Sequence, residues 1–216
     1  MEINKELQKY IEENIFPVYS KNDLGHNLSH IKYVIKRSLN FARQLDEINL
    51  DMVYTIASYH DIGHHINPKE HEIVSAKTLY NDENLKNFFN EDEILIMKEA
   101  VEDHRASSKT EPRSIYGKIV SSADRNTSVD SSLKRTYQYR LKNRNNLSLE
   151  CIIDDSRNHL LNKFGPNGYA REKMFFIDDE YDNYLRDITS LCENKEDFTK
   201  RFLEVNEISD KDLLNV

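Results

Sequence analysis

The sequence contains few of the residues that build tight turns, with five glycines and four prolines among 216 residues. Sandwiches and barrels of short strands need frequent Gly- and Pro-rich turns, so this scarcity favours helices joined by short connections. The only cysteines, Cys151 and Cys192, are too few for a disulfide framework and have no metal-ligand spacing. Their scarcity points to a reducing compartment.

Long apolar stretches are also missing, and none approaches the length that spans a membrane. The N-terminal stretch MEINKELQKYIEEN is too charged for a signal peptide. A net charge of −8 argues against general nucleic-acid binding, which depends on a basic surface. We therefore expect a cytoplasmic protein that binds neither nucleic acid nor a membrane.

Apolar residues recur at helical spacing along most of the chain, which predicts an all-α fold with one core. Three or four further helices are expected between about residues 131 and 207. The predicted helices before them span about residues 3–16, 28–45, 50–60, 70–80, 91–103 and 113–128.

Several predicted helices carry a polar residue in line with their apolar stripe, namely His30, His60, His104 and Asp124. Residues three and four apart share a helix face, so these side chains are expected to point inward. A single inward histidine is more often a hydrogen-bonded core residue than a ligand. A buried carboxylate needs a cationic partner, either an arginine or a metal ion. Several imidazoles near Asp124 favour the metal ion.

The stretch SYHDIGHHINPKEH, residues 58–71, supports the same interpretation because it holds four of the eight histidines. A polar surface loop would also explain this composition. Three segments then decide between the two interpretations, since GHNLSHIKYVIKRSLNFA, SYHDIGHH and KIVSSADRN together resemble the HD-domain phosphohydrolase superfamily. The order His30, His60-Asp61, Asp124 is similar to its H…HD…D signature.

The resemblance covers residues 24–129 and implies an all-α HD-domain helical bundle within a single all-α domain, residues 1–216. Residues 131–216 are then a C-terminal helical extension that can cap the site. The implied cofactors are one or two divalent transition-metal ions (Fe, Mn, Co, Ni or Zn). The implied ligands of the first ion are His30, His60, Asp61 and Asp124. His71 and His104 lie where the two-metal branch has its additional ligands, so Asp61 is expected to bridge to a second ion there.

The implied activity is hydrolysis of a phosphate ester or anhydride in a nucleotide or another small phosphorylated molecule by a metal-activated hydroxide. The sequence is similar to bacterial HD hydrolases of dinucleoside polyphosphates. Asp61 and Arg125 are the candidate catalytic residues. The candidate substrate-binding residues are His26, His64, Arg105, Lys109 and Arg125.

The basic segment LKRTYQYRLKNR, residues 133–144, has two interpretations. It is either a substrate clamp, with Tyr137 or Tyr139 stacking on a base, or a solvated helix face. His159 and the two cysteines are interpreted as structural.

Two other functions use the same ligands: a di-iron HD-type oxygenase and a non-catalytic metal-binding regulatory module. The basic segment favours the phosphohydrolase. Oxygen consumption by the iron-loaded protein would indicate the oxygenase, and stoichiometric metal binding without turnover would indicate the module.

Overall fold

The structure is a computed structural model that describes residues 2–143, 147–171 and 174–209. Within these ranges every regular element is a helix, with ten α-helices and three short 3₁₀ helices. The all-α prediction is therefore confirmed. The chain divides into two compact units, residues 1–125 and 126–216.

The first unit contains six α-helices and the 3₁₀ helices Phe16–Lys21, Leu24–His26 and Glu83–Asn87. The helix α3 is central, because it packs against α1, α2, α4, α5 and α6. All of its residues except Asp51 are buried, as expected of a helix that is apolar on most of its surface. The six helices are α1 (Lys5–Asn14), α2 (Leu28–Ala42), α3 (Leu50–Tyr59), α4 (His71–Tyr80), α5 (Glu91–Glu102) and α6 (Ile115–Ala123).

Asparagine caps fix the starts of four of these helices. The side chains of Asn4, Asn27, Asn49 and Asn90 each accept a hydrogen bond from a backbone N–H in the first turn that follows. Because those N–H groups have no partner inside the helix, each cap stabilises its helix and sets where it begins. Asn27 thereby fixes the turn that carries His30.

The sixth helix is shorter than predicted, spanning residues 115–123 instead of 113–128. Ser114 caps its start through the N–H of Gly117. At the other end, the N–H of Asp124 bonds back to Val120 O, and residues 125–128 are not helical. The chain leaves the helix where the Asp124 side chain meets the histidines described below, so the end of α6 is part of the site.

The second unit has four helices around its own apolar core: α7 (Val129–Asn143), α8 (Leu149–Phe164), α9 (Asp179–Glu193) and α10 (Lys195–Val205). Fully buried aromatic residues from α9 and α10, such as Tyr184 and Phe198, fill this core. Of the helices in the described ranges, none has both the length and the apolar character needed to cross a membrane.

Gly63 allows the turn after α3 to lie against α4. Its N–H donates to Ser75 Oγ at 2.9 Å, and an added Cβ would lie 2.7 Å from Val74 Cβ and 2.8 Å from Ser75 N. We expect Gly63→Ala to lower the free energy of unfolding by about 1–3 kcal/mol, as overpacking of a tight contact does. Urea unfolding followed by circular dichroism measures this change. An unchanged midpoint and slope would contradict the close approach.

Candidate metal centre

The six residues predicted as ligands converge at the ends of helices in the first unit. His30 lies in the first turn of α2, and His71 is the first residue of α4. His60 and Asp61 directly follow α3, Asp124 directly follows α6, and His104 lies two positions after the last residue of α5. Three of these helices therefore direct their C-terminal ends, which carry partial negative charge, towards the cluster, whereas α2 and α4 direct their N-terminal ends, which carry partial positive charge.

Asp61 lies between two groups of side chains and is 2% exposed. Its Oδ2 is 3.6 Å from His30 Nε2 and 3.3 Å from His60 Nε2. Its Oδ1 is 3.2 Å from His71 Nε2 and 3.5 Å from His104 Nε2. The first group is completed by Asp124, whose Oδ1 is 3.1 Å from His30 Nε2 and 3.8 Å from His60 Nε2. One buried carboxylate thus joins a group of His30, His60 and Asp124 to a group of His71 and His104.

Backbone carbonyls determine which ring nitrogen carries the hydrogen in three of these imidazoles. A carbonyl oxygen only accepts hydrogen bonds, so a ring nitrogen bonded to it carries the hydrogen, and the other nitrogen of a neutral ring then has a lone pair. Each Nδ1 bonds to the carbonyl three residues earlier, and each Nε2 faces Asp61. The pairs are His60 with Ala57 at 2.8 Å, His71 with Pro68 at 3.1 Å and His104 with Val101 at 2.6 Å.

The arrangement of the remaining polar atoms fits a divalent transition ion. Among the described residues, the buried atoms His30 Nε2, His60 Nε2 and Asp61 Oδ1 have no hydrogen-bond partner. His71 Nε2 and His104 Nε2 face each other at 3.3 Å, where two lone pairs need a cation or a proton between them. Ligand bonds of about 2.1 Å in tetrahedral geometry place neighbouring ligand atoms about 3.4 Å apart, close to the spacings seen here.

Mutual attraction shifts the pKa values of these groups. Burial lowers the pKa of His30, but the carboxylates of Asp124 and Asp61 outweigh it and raise that pKa to about 9. Against the effect of burial, the carboxylate of Asp61 also raises the pKa values of His60 and His71. Burial raises the pKa values of Asp61 and Asp124, yet the nearby histidines hold both well below the usual range. Without a metal ion the cluster therefore retains protons, and an ion must displace them.

Asp23, His26 and His64 form a further cluster beside these groups. The His64 ring is 5.3 Å from that of His71, and the His26 ring is 6.0 Å from that of His30. The rings of His26 and His64 stack face to face, with centroids 3.7 Å apart and planes 19° apart. A bound metal lies in the plane of its imidazole, so two nearly parallel rings do not direct their lone pairs at one ion. This geometry suits hydrogen bonding, and the substrate-binding role of His26 and His64 stays a prediction.

The two stacked rings differ in their contact with Asp23. Asp23 Oδ1 lies 2.7 Å from His26 Nδ1, whereas Asp23 Oδ2 is 3.9 Å from His64 Nδ1. Burial and the charge of His26 lower the pKa of His64 to about 4. His64 is therefore neutral near pH 7, and His26 is the ring paired with the carboxylate.

Two of the three predicted cationic contacts, Arg105 and Arg125, have protein partners. Arg105 donates to Lys69 O at 2.7 Å and to Glu72 Oε1 at 3.0 Å, which links the residue after His104 to the start of α4. Arg125 is 4% exposed and donates to Ser121 Oγ at 3.2 Å. Lys109 is exposed. Substrate contact by Arg105, Lys109 and Arg125, and the catalytic role of Arg125, remain predictions.

The basic segment is divided between the interior and the surface of the second unit. Arg140 is buried and pairs with Asp155 at 2.9 Å, and Tyr137 packs edge-on against Phe202. Lys134 and Lys142 are exposed. Arg144 lies outside the described residues, so the end of the segment has no structural account. Arg140 contributes to the core of the unit and fits neither interpretation of the segment.

Two residues that support the site were not predicted. Asn22 Nδ2 donates to Asp61 O at 2.9 Å and to His26 O at 3.0 Å, so it fastens the turn at Asp61 to the preceding loop. A lone asparagine in a loop gives no signal of this role. Arg37 holds the end of α6. The sequence does contain a sign of this role, because Arg37 is a charged residue on the apolar stripe of α2, seven positions after His30.

Comparison with known families agrees with this geometry. The model of the HD domain family matches residues 27–127, slightly less than half of the chain. The matched segment contains Asp61 and all five residues of the two groups that it joins. No curated protein and no solved structure matches the chain.

Proposed function

From the HD domain at residues 27–127, we propose that this protein is a metal-dependent phosphohydrolase that uses two divalent transition ions. Its substrate is a phosphate ester or anhydride of a nucleotide or another small phosphorylated molecule. The observation that carries the proposal is Asp61, whose two oxygens each face a separate group of imidazole nitrogens. A single carboxylate in that position suits two neighbouring ions better than one.

The residues divide naturally between the two ions. His30, His60, Asp124 and one oxygen of Asp61 would hold the first, and His71, His104 and the other oxygen of Asp61 would hold the second. Such ions supply a hydroxide near neutral pH and neutralise the charge on phosphoryl oxygens. The chain itself keeps the imidazoles oriented through their backbone carbonyls and excludes water from His60, Asp61 and His104, each at most 2% exposed.

Exposure indicates the side from which a substrate approaches. The side chains of His30 and Asp124 are 16% and 22% exposed, and that of His71 is 11% exposed, so the cluster opens along this side. The stacked pair of His26 and His64 lies next to these residues. A neutral His64 can donate a hydrogen bond to a phosphoryl oxygen or accept one from a hydroxyl group of the substrate. This location supports a substrate-binding role for the pair.

A screen of metals and substrates tests the function. Protein loaded with manganese, iron, cobalt or nickel is incubated with nucleotides, dinucleotides and phosphomonoesters. The phosphate released is measured, with a coupling phosphatase added afterwards for products that still carry their phosphate. We expect hydrolysis that a chelator abolishes and added metal restores. Oxygen consumption by the iron-loaded protein without hydrolysis would support the oxygenase instead. Stoichiometric metal binding without any turnover would support a regulatory module.

Removing one histidine of the second group tests the use of two ions. We expect His71→Ala to reduce the bound metal from two ions towards one, because the first group keeps all of its donor atoms. Metal analysis after gel filtration measures the content, and turnover should fall with it. The matched control is His159→Ala, which replaces a histidine of α8 in the second unit. Loss of all metal in His71→Ala, or loss of none, would contradict the division into two groups.

A further inference from the structure

A buried arginine connects the helix that carries His30 to the loop that carries Asp124. Arg37 is 6% exposed and lies seven positions after His30 in α2. Seven positions are close to two helical turns, so both residues lie on the side of α2 that faces the core. Burying a guanidinium is costly unless its donors are used well.

The donors of Arg37 are used on both sides of Asp124. Its Nη1 donates to Ala123 O at 3.1 Å and to Arg125 O at 2.7 Å. The helix α6 ends at Ala123, so the carbonyls of its last turn lack partners within the helix. The guanidinium supplies a partner for the last of these carbonyls, Ala123 O, and for Arg125 O beyond the helix, and thereby fixes the backbone immediately before and after Asp124.

Two aromatic rings of α2 hold the guanidinium in this orientation. The Cζ atom of Arg37 lies 5.4 Å from the centroid of Tyr33 and 5.6 Å from that of Phe41, one turn away on either side. Such contacts attract the cation to the ring faces. A planar group that stacks and presents several donors is a property of arginine that lysine does not share.

We propose that Arg37 is a positioning residue that sets Asp124 against His30 and thereby controls the affinity of the first ion. Asp124 Oδ1 lies 3.1 Å from His30 Nε2, and both belong to the first group. The second group is built on α4 and on the residues after α3 and α5, so a shift of the end of α6 displaces Asp124 but not His71 or His104. The inference rests on the metal centre of the proposed function and is independent of whether phosphate is the substrate.

The test measures the affinity of each ion separately. Arg37→Met removes the donors and keeps an apolar side chain, Arg37→Lys keeps the charge, and Lys36→Met removes a neighbouring exposed cation as a control. Each is combined with His71→Ala, which leaves the first group intact, or with Asp124→Asn, which leaves the second group intact. Competition against a chelator with Co²⁺ gives the affinities, and the visible absorption of Co²⁺ reports its geometry.

We expect Arg37→Met to lower the affinity for the first ion by about 10- to 100-fold, the usual effect of losing a residue that orients a metal ligand. The second ion should keep its affinity, Arg37→Lys should give an intermediate loss, and Lys36→Met should match the parent protein. Unchanged affinity of the first ion in Arg37→Met would overturn the proposal. An equal loss of affinity for both ions in Arg37→Met, together with a loss of helical content, would also overturn it.

If Arg37→Met does not fold, Arg37→Lys decides the matter. Selective weakening of the first ion in that variant supports the proposal, and wild-type affinity overturns it. If the unmodified protein hydrolyses no phosphate ester or anhydride, the proposed function is contradicted. The metal affinities of the variants can still be compared, so the role of Arg37 is tested separately.

Discussion

Replacing Asp61 with asparagine is expected to remove both metal ions and nearly all turnover. The side chain keeps its shape but loses the charge that faces four imidazoles, and this position is 2% exposed. Removing one partner of a buried charge pair costs about 3–5 kcal/mol. If the attraction between this carboxylate and the ions is of similar size, at about 1.4 kcal/mol for each factor of ten the metal affinity should fall by about 10²–10⁴-fold, and turnover should fall with the bound metal.

Metal analysis and steady-state kinetics measure the two effects on the same preparation. The matched control is Asp92→Asn, which neutralises an exposed carboxylate in the first turn of α5. We expect this control to retain metal and turnover, and circular dichroism should show that both variants remain helical. An Asp61→Asn protein that keeps two ions would refute the bridging role of Asp61.

The fold was largely predictable because its local signals agree with its packing. Apolar residues at helical spacing predict α2, α3 and α5, and asparagine residues mark where those helices begin. The end of α6 was missed for a tertiary reason. No glycine or proline stops that helix, and Arg37 from α2 instead bonds its last carbonyl, Ala123 O, and the carbonyl of Arg125 beyond it.

The residues of the cluster were predictable as residue types in a known order, but the details of their geometry were not. Their order along the chain resembles a family signature, whereas distances such as 3.2 Å between His71 and Asp61 depend on how α3 and α4 pack. Likewise, a cationic residue near a motif does not reveal its partner. Arg105 binds Glu72, and Arg140 is buried against Asp155, because acidic residues distant in sequence lie beside them.

The metal-free protein and the metal-loaded protein are expected to respond oppositely to rising pH. The pKa of His30 is raised from its ordinary value of 6.5 to about 9, so its attraction to Asp124 and Asp61 stabilises the fold fully below pH 6.5. That contribution is lost as the pH rises through about 9. Raised pKa values of His60 and His71 act in the same direction.

The lowered pKa values of Asp61 and Asp124 have the opposite sign. Their contribution is present above the ordinary carboxylate pKa of 3.8 and is lost as the pH falls towards their folded values. Stability of the metal-free protein should therefore be greatest in mildly acidic solution. Between pH 6.5 and 9 its melting temperature should fall.

Metal binding reverses this trend because an ion and a proton compete for the same Nε2 atoms. As the histidines lose their protons, metal affinity rises and ligand binding stabilises the folded state more strongly. Melting temperatures in EDTA and in Mn²⁺ across pH 6–9 should therefore diverge. Asp124→Asn, which removes the main carboxylate partner of His30, should flatten the curve of the metal-free protein. A constant difference between the two curves would show that these histidines do not bind the ion.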